Sequence, residues 1–235
     1  MDITQKLKNL RSFNVKMAVL HAAQGLAVLL LAKDFKLPVT TSYLSFNEAT
    51  QTLLPAQQDL FQLPLAWLVA GFLFLSAAAH LIIATIYNQK YNADLKQGIN
   101  RARWVEYSLS ASTMMVAIAM LVGIYDISSL IMVFALVAIL NLMGLVMEVH
   151  NQTTKSTNWL SYNIGVLAGA VPWLAIAIFF WAAAKNGSAP PTFVYWIFVS
   201  IFLFFNCFAI NMVLQYKKMG KWRDYLYGER GYIVL

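Results

Sequence analysis

The chain has little charge: only 11% of its 235 residues are Asp, Glu, Lys or Arg, whereas 60% are hydrophobic. A soluble domain carries roughly 25% charged and about 45–50% apolar residues, so the composition excludes an ordinary soluble protein and predicts an integral membrane protein. A single cysteine, Cys207, excludes an internal disulfide and CxxC chemistry. The sequence also lacks a phosphate-binding glycine loop and the HExxH and GxSxG motifs. We therefore expect no enzymatic activity.

Long apolar runs take the place of the missing charge. A helix needs about 20 apolar residues to cross the hydrocarbon core of a bilayer, and six segments of the sequence reach this length. The pattern predicts an all-α membrane protein that forms a single bundle domain over residues 1–235, in contact with the lipid bilayer. The predicted spans are residues 13–32, 63–87, 104–125, 127–147, 159–184 and 193–216.

The positive charges predict the orientation of these spans, because cytoplasmic loops carry an excess of Lys and Arg. Fourteen of the 17 Lys and Arg residues fall on the side of the N-terminus, and only Lys33, Lys36 and Lys185 fall on the other. We therefore expect a multi-pass protein of the cell membrane with a cytoplasmic N-terminus. The net charge of +7 then reflects basic cytoplasmic loops and no nucleic-acid partner. In the extracellular connection 33–62, the alternating stretch Leu37–Leu44 predicts a short hairpin.

Three titratable side chains interrupt the apolar runs: His21, His80 and Glu106. At a rise of about 1.5 Å per residue, all three fall in the cytoplasmic half of the predicted bundle. Ionisable groups are costly in a bilayer and commonly mark functional sites there. Other interpretations are that the histidines hydrogen-bond neighbouring helices, that Glu106 pairs with Arg103 at i−3, or that all three bind an Fe or Zn ion in a membrane metalloprotein.

The start of the third predicted span, residues 103–112 (RWVEYSLSAS), resembles the signature of the heliorhodopsins, a family of retinal-binding membrane proteins. The resemblance continues in order over nearly the whole chain. The further matching segments are Phe13-Asn14 with His21, residues 76–80, Val171-Pro172-Trp173, Phe204-Phe205-Asn206, residues 214–217, Tyr225-Leu226, Gly228-Glu229-Arg230 and residues 232–235.

The resemblance implies a seven-helix rhodopsin-like bundle of inverted topology, with the N-terminus inside. Six spans are complete in this chain, and the seventh helix is expected to begin at about residues 225–235. The family binds all-trans retinal as a protonated Schiff base on a lysine of the seventh helix. It is photochromic and commonly dimeric, so the resemblance implies a homodimer. It also implies light sensing and signalling in preference to ion pumping.

The resemblance also assigns roles to individual residues. Glu106 would be the counterion of the Schiff base. The network that accepts or relays its proton would comprise His21, His80, Tyr107, Ser110 and Asn206. The retinal pocket would include Ser112, Met115, Trp173 and Phe205.

The Schiff-base lysine is not present in this chain, since every Lys lies outside the six apolar runs or at their edges. We interpret the sequence as cut or interrupted after Leu235, with this lysine beyond it. If Leu235 is the true end, the alternative is a membrane scaffold or transporter that does not respond to light.

Overall fold

The structure, a computed structural model, describes residues 2–187 and 191–234. Six of its helices are long and apolar enough to cross a membrane, which agrees with the six predicted spans. Leu235, the last residue of the predicted seventh-helix start, lies outside the described residues. The helices are α1 (Ile3–Leu31), α2 (Leu65–Ala84), α3 (Asn88–Lys96), α4 (Arg101–Leu121), α5 (Ile127–His150), α6 (Leu160–Lys185), α7 (Thr192–Tyr216) and α8 (Tyr225–Val234).

Helix α1 begins at Ile3, ten residues before the predicted start of the first apolar span at residue 13. The side chain of Asp2 caps the helix by accepting a hydrogen bond from the Thr4 amide at 3.3 Å. The added turns bury Leu7 and Leu10 in a cluster that includes residues of α3. An apolar window detects only the part of a helix that lies in hydrocarbon, and therefore misses this amphipathic extension.

Two further boundaries differ from the prediction. Helix α2 ends at Ala84, and α3, a nine-residue helix of low hydropathy, follows it without having been predicted. Helix α5 continues to His150, three residues beyond the predicted end at 147, and therefore includes Glu148.

The connection between α1 and α2 is a two-stranded antiparallel sheet, which agrees with the hairpin predicted in the extracellular connection and is the part of the fold that is not helical. Strand β1 (Lys36–Asn47) pairs with β2 (Thr52–Pro64), with a register shift between Val39 and Thr40. The hairpin is longer than the predicted stretch Leu37–Leu44. Leu37 and Val39, near the start of β1, are buried in the main apolar core and anchor the hairpin to the bundle.

The turn between α4 and α5 fastens this hairpin. The Thr40 amide donates to the Tyr125 carbonyl at 2.9 Å, and the Ser42 amide donates to Asp126 Oδ2 at 3.0 Å. Asp126 is also the N-cap of α5, where Oδ1 accepts from the Ser129 amide at 3.1 Å. The hydrogen bond from Ser129 lowers the pKa of the Asp126 carboxyl.

We expect Asp126→Ala to lower the thermal midpoint and to expose the hairpin to protease. Because the pKa of Asp126 is lowered on folding, its contribution is present at about pH 7 and is lost as the pH falls through the folded-state value. The two midpoints should therefore converge as the pH falls through that value. Asp126→Asn is the matched control, since Asn keeps the cap. Equal midpoints for the wild type and Asp126→Ala at pH 7 would contradict this role.

The long helices pack in sequence, α1 on α2, α2 on α4, α4 on α5 and α5 on α6. The main apolar core occupies the half of the bundle nearer the hairpin, where Met115, Met120, Val137 and Ile176 are fully buried. Buried polar side chains instead concentrate toward the end where α1 begins. We call this the N-terminal end of the bundle, and the candidate site lies on that side of the core.

Candidate functional site

Glu106 accepts a hydrogen bond from a neighbouring helix. The Ser76 hydroxyl of α2 donates to Glu106 Oε1 at 2.6 Å, so the carboxylate of α4 faces α2. Four residues along α2 from Ser76 comes His80, on the same face of the helix. The interpretation of Glu106 as the partner of Arg103 is wrong, since the ion pairs of Arg103 are with other carboxylates.

The two predicted histidines meet between α1 and α2. The rings of His21 and His80 stack with centroids 5.5 Å apart. His80 Nδ1 lies 2.7 Å from Oδ1 of Asn14, an α1 side chain that is only 1% exposed, and His21 Nδ1 lies 3.0 Å from Gln24 Oε1. The sequence places the histidines at matched depth, and the structure brings them into direct contact.

Two adjoining cavities extend from this polar group into the bundle. One, of about 230 Å³, is bounded by His21, Ser76 and His80 and by the predicted network residues Tyr107 and Ser110. We call it the polar-ended cavity. The other, of about 320 Å³, lies mainly between α5, α6 and α7 and is largely apolar. We call it the apolar cavity. Three residues line both of them, so the two adjoin: Asn141, Phe205 and Phe208.

Trp173 forms part of the wall of the apolar cavity. Its ring meets Phe198, Phe202 and Phe205 edge-on, with centroids 5.2–5.5 Å apart. Pro172 precedes it inside α6, where a proline removes one hydrogen bond of the helix. This aromatic cluster gives the cavity a stiff, closely packed wall.

The structure separates the other predicted site residues. Ser112 and Met115 are completely buried but line neither cavity, and the Ser112 hydroxyl donates to the Ser108 carbonyl of its own helix. Asn206 lines the apolar cavity, where its amide donates to the Phe202 carbonyl at 2.8 Å. It therefore lies apart from the Glu106 and His80 group with which it was predicted.

A buried ion cluster lies beside the polar group, and sequence reasoning missed it. Arg103 of α4 pairs with Glu148 of α5 at 2.5 Å and with Glu229 of α8, and the three side chains are 1–4% exposed. The Trp104 indole donates to Glu148 Oε2 at 2.7 Å, and the Asn100 amide group donates to Glu229 Oε2 at 2.6 Å. The guanidinium also stacks over the rings of Trp104 and Tyr232.

One sequence signal could have revealed this cluster. Glu148 immediately follows the predicted fourth span, and Arg103 immediately precedes the third. Because consecutive spans run antiparallel, these two residues fall at the same depth and on the same side of the bundle. An acid and a base at matched depth on adjacent helices favour an ion pair.

A cavity of about 20 Å³ connects the ion cluster to the predicted counterion. It is bounded by His80, Glu106 and Tyr107 on one side and by Arg103 and Glu229 on the other. The Tyr107 hydroxyl also donates to the Tyr232 carbonyl at 2.6 Å, which joins α4 to α8. The titratable groups of α1, α2, α4, α5 and α8 therefore form one continuous polar region.

The described residues contain no group of three His, Cys, Asp or Glu side chains arranged to hold a metal ion. His21, His80 and Glu106 come from three helices, and their closest polar contacts are with Gln24, Asn14 and Ser76. The geometry therefore gives no support to the interpretation as a metal site. The same side chains supply one acid and two imidazoles for holding or moving a proton.

Two comparisons bear on the identity of the chain. The comparison with curated proteins found no match. The model of the heliorhodopsin family matches residues 10–235, which include Glu106, the two histidines, the ion cluster and Trp173. Because the match covers nearly the whole chain, the chain belongs to the heliorhodopsin family of membrane retinal proteins.

Proposed function

We propose that this chain holds all-trans retinal in the two adjoining cavities and senses light, with Glu106 as the counterion. One observation carries the proposal. A carboxylate hydrogen-bonded to Ser76 stands near His80, behind the polar end of a largely apolar space that reaches Trp173. A long apolar molecule with one cationic end requires this distribution of groups.

The residues present fit such a molecule. The cavities measure about 230 and 320 Å³, within the range of roughly 300–1,000 Å³ for small-molecule sites when taken together. The aromatic wall around Trp173 and Phe205 suits a hydrocarbon ring. In contrast, Ser76, His80 and Ser110 gather at the opposite end.

When bound, retinal supplies a light-absorbing polyene with a positive charge at its Schiff-base end. In a low-dielectric site that charge needs an opposite charge nearby, and Glu106 supplies it. Ser76 orients the carboxylate by donating to Oε1. The oxygens of Glu106 and the ring nitrogens of His80 and His21 are the atoms at this end that can accept a proton, with Asn14 fixing the ring of His80.

The placement of polar groups supports sensing over ion pumping. Glu106, His80 and the Arg103 cluster all lie toward the N-terminal end of the bundle. The half nearer the hairpin is filled by the main apolar core, where Met115, Met120 and Ile176 are 0% exposed. A proton released by the Schiff base beside Glu106 would therefore find polar partners on one side only.

Two implications of the family also enter the proposal. We infer a cytoplasmic N-terminus from the excess of basic residues on that side. We also infer a homodimer, for which the hairpin gives support. Its apolar side chains Tyr43, Leu44, Phe46 and Leu53 are 51–63% exposed, and exposed apolar surface of this kind favours a protein partner.

The proposal predicts a visible absorption band after the full-length protein is purified with all-trans retinal. Hydroxylamine should bleach that band, because it cleaves a Schiff base. Trp173→Ala should reduce retinal occupancy by removing the aromatic wall of the apolar cavity. Trp181→Ala is the matched control, since Trp181 lies on the same helix and is 64% exposed.

The absence of a visible band at saturating retinal would contradict the proposal and would favour a scaffold or transporter. Equal loss of occupancy in the Trp173 and Trp181 variants would instead show that retinal does not occupy the apolar cavity.

A further inference from the structure

A second polar pocket, distinct from the retinal site, opens at the N-terminal end of the bundle. It has a volume of about 300 Å³ and lies between the loop after α5, the end of α7 and the 3₁₀ turn Gly220–Arg223. We call it the loop pocket. Its lining includes Lys155, Lys218 and Arg223, together with Ser156, Thr157 and Tyr225.

The loop pocket has an excess of positive charge. None of the ion pairs among the described residues involves Lys155, Lys218 or Arg223. By contrast, Lys6 at the same end of the bundle pairs with Asp224 at 2.7 Å. Three cations that share one concave pocket, without a carboxylate partner, raise the local concentration of anions.

The backbone holds two of these cations close together. Lys218 adopts a left-handed conformation at φ 51°, and its carbonyl accepts from Arg223 Nε at 3.3 Å. Both residues line the same pocket as Lys155, which belongs to the loop after α5. The guanidinium has further N–H groups that can bind an anion.

The rest of the lining favours an oxyanion over a simple halide. Ser156 and Thr157 bring hydroxyl donors, and Asn151 and Gln152 bring amides to the same pocket. Arg and Lys side chains combined with hydroxyl and amide donors match the several oxygens of a phosphate group. The ligand chemistry that fits the loop pocket is therefore a phosphate or phosphate ester.

The floor of the loop pocket touches the buried ion cluster. Tyr225 lines the pocket, and its hydroxyl donates to Glu148 Oε1 at 3.1 Å. The cluster below holds two carboxylates, Glu148 and Glu229, against one guanidinium, Arg103. Three cations around the pocket outweigh this single excess negative charge, so the surroundings stay favourable to an anion.

We propose that the loop pocket is a binding site for a phosphate group, separate from the retinal site. The phosphate can come from a soluble phosphorylated molecule or from the headgroup of an anionic lipid, because the pocket lies at an end of the bundle. Lys155, Lys218 and Arg223 bind its charge, and Ser156 and Thr157 donate to its oxygens.

Inorganic pyrophosphate is the probe, and isothermal titration of the full-length protein in a neutral detergent at constant ionic strength is the measurement. We expect one saturable site. Each charge removed should weaken binding about tenfold, so Lys155→Gln/Arg223→Gln should weaken it about a hundredfold. The matched control is Lys90→Gln/Lys96→Gln, which removes the same charge from the same end of the bundle but outside the pocket.

Nanodiscs distinguish the two sources of phosphate. If pyrophosphate binds equally in phosphatidylcholine and phosphatidylglycerol nanodiscs, the site serves a soluble phosphate. If phosphatidylglycerol blocks it, the site holds a lipid headgroup. Both outcomes support the proposal. Absence of saturable binding in detergent, or equal weakening in the two double variants, would overturn it. None of these readouts depends on retinal.

Discussion

Glu106→Gln should move the visible absorption maximum of the retinal-loaded protein to longer wavelength by tens of nanometres. A carboxylate about 4 Å from a cation stabilises the ground state by roughly 4 kcal/mol at an effective dielectric constant of about 20. Excitation moves positive charge away from the carboxylate, so this stabilisation raises the excitation energy. Gln keeps the size of Glu and its contact with Ser76, and removes only the charge.

Two controls accompany that measurement. Glu106→Asp keeps the charge and should leave the maximum closer to that of the wild type. Glu48→Gln removes an exposed carboxylate at the end of the hairpin, far from the cavities, and should leave the spectrum unchanged. A Glu106→Gln spectrum that coincides with the wild type would exclude Glu106 as the counterion.

Arg103→Gln should be the most destabilising single substitution considered. It leaves the carboxylates of Glu148 and Glu229 buried without their common partner. Removing one member of a buried ion pair costs about 3–5 kcal/mol, equivalent to a fall in the thermal midpoint on the order of 10 °C. Thermal unfolding of the purified protein, followed by circular dichroism, gives the midpoint.

Arg101→Gln is the matched control, because Arg101 begins the same helix but pairs with Asp94 through a side chain that is 41% exposed. Its loss should cost less than that of Arg103, because Arg101 is partly exposed and leaves one carboxylate, Asp94 at 9% exposed, without its partner, whereas Arg103 leaves two that are 1% exposed. The triple variant Arg103→Gln/Glu148→Gln/Glu229→Gln should recover much of the lost stability, since no uncompensated charge remains. Equal midpoints for Arg103→Gln and Arg101→Gln would show that the cluster does not hold α4, α5 and α8 together.

The spans could be predicted from sequence because hydrocarbon thickness fixes the length of an apolar run. The same criterion hides polar parts of helices. It missed the first turns of α1 and all of α3. Asp2 caps the start of α1, and Leu7 and Leu10 of α1 pack in a cluster with residues of α3. The length of the hairpin was also hidden, because its strands carry apolar side chains on exposed faces.

The candidate site was predictable in depth but not in rotation about the helix axes. Counting residues along each span places His21, His80 and Glu106 at similar depth, and His21 and His80 do meet. Depth does not show which way a side chain points. Ser112 and Met115 have a suitable depth yet line neither cavity, whereas Ser76 contacts Glu106 directly. The partners of Arg103 depend on the same rotation and on the position of α8.

Trp104 belongs to both the apolar cavity and the buried ion cluster. One side of its indole lines the apolar cavity, and its Nε1 donates to Glu148 in the ion cluster. Gly144 of α5 permits this close packing, since a Cβ there would lie 2.5 Å from the indole ring. A ligand that changed shape in the cavity and displaced this ring would therefore also disturb its hydrogen bond to Glu148. Such a displacement would act, through Glu148 and Arg103, on the ion pair with Glu229 of α8, by a route that does not require a proton to reach Glu106.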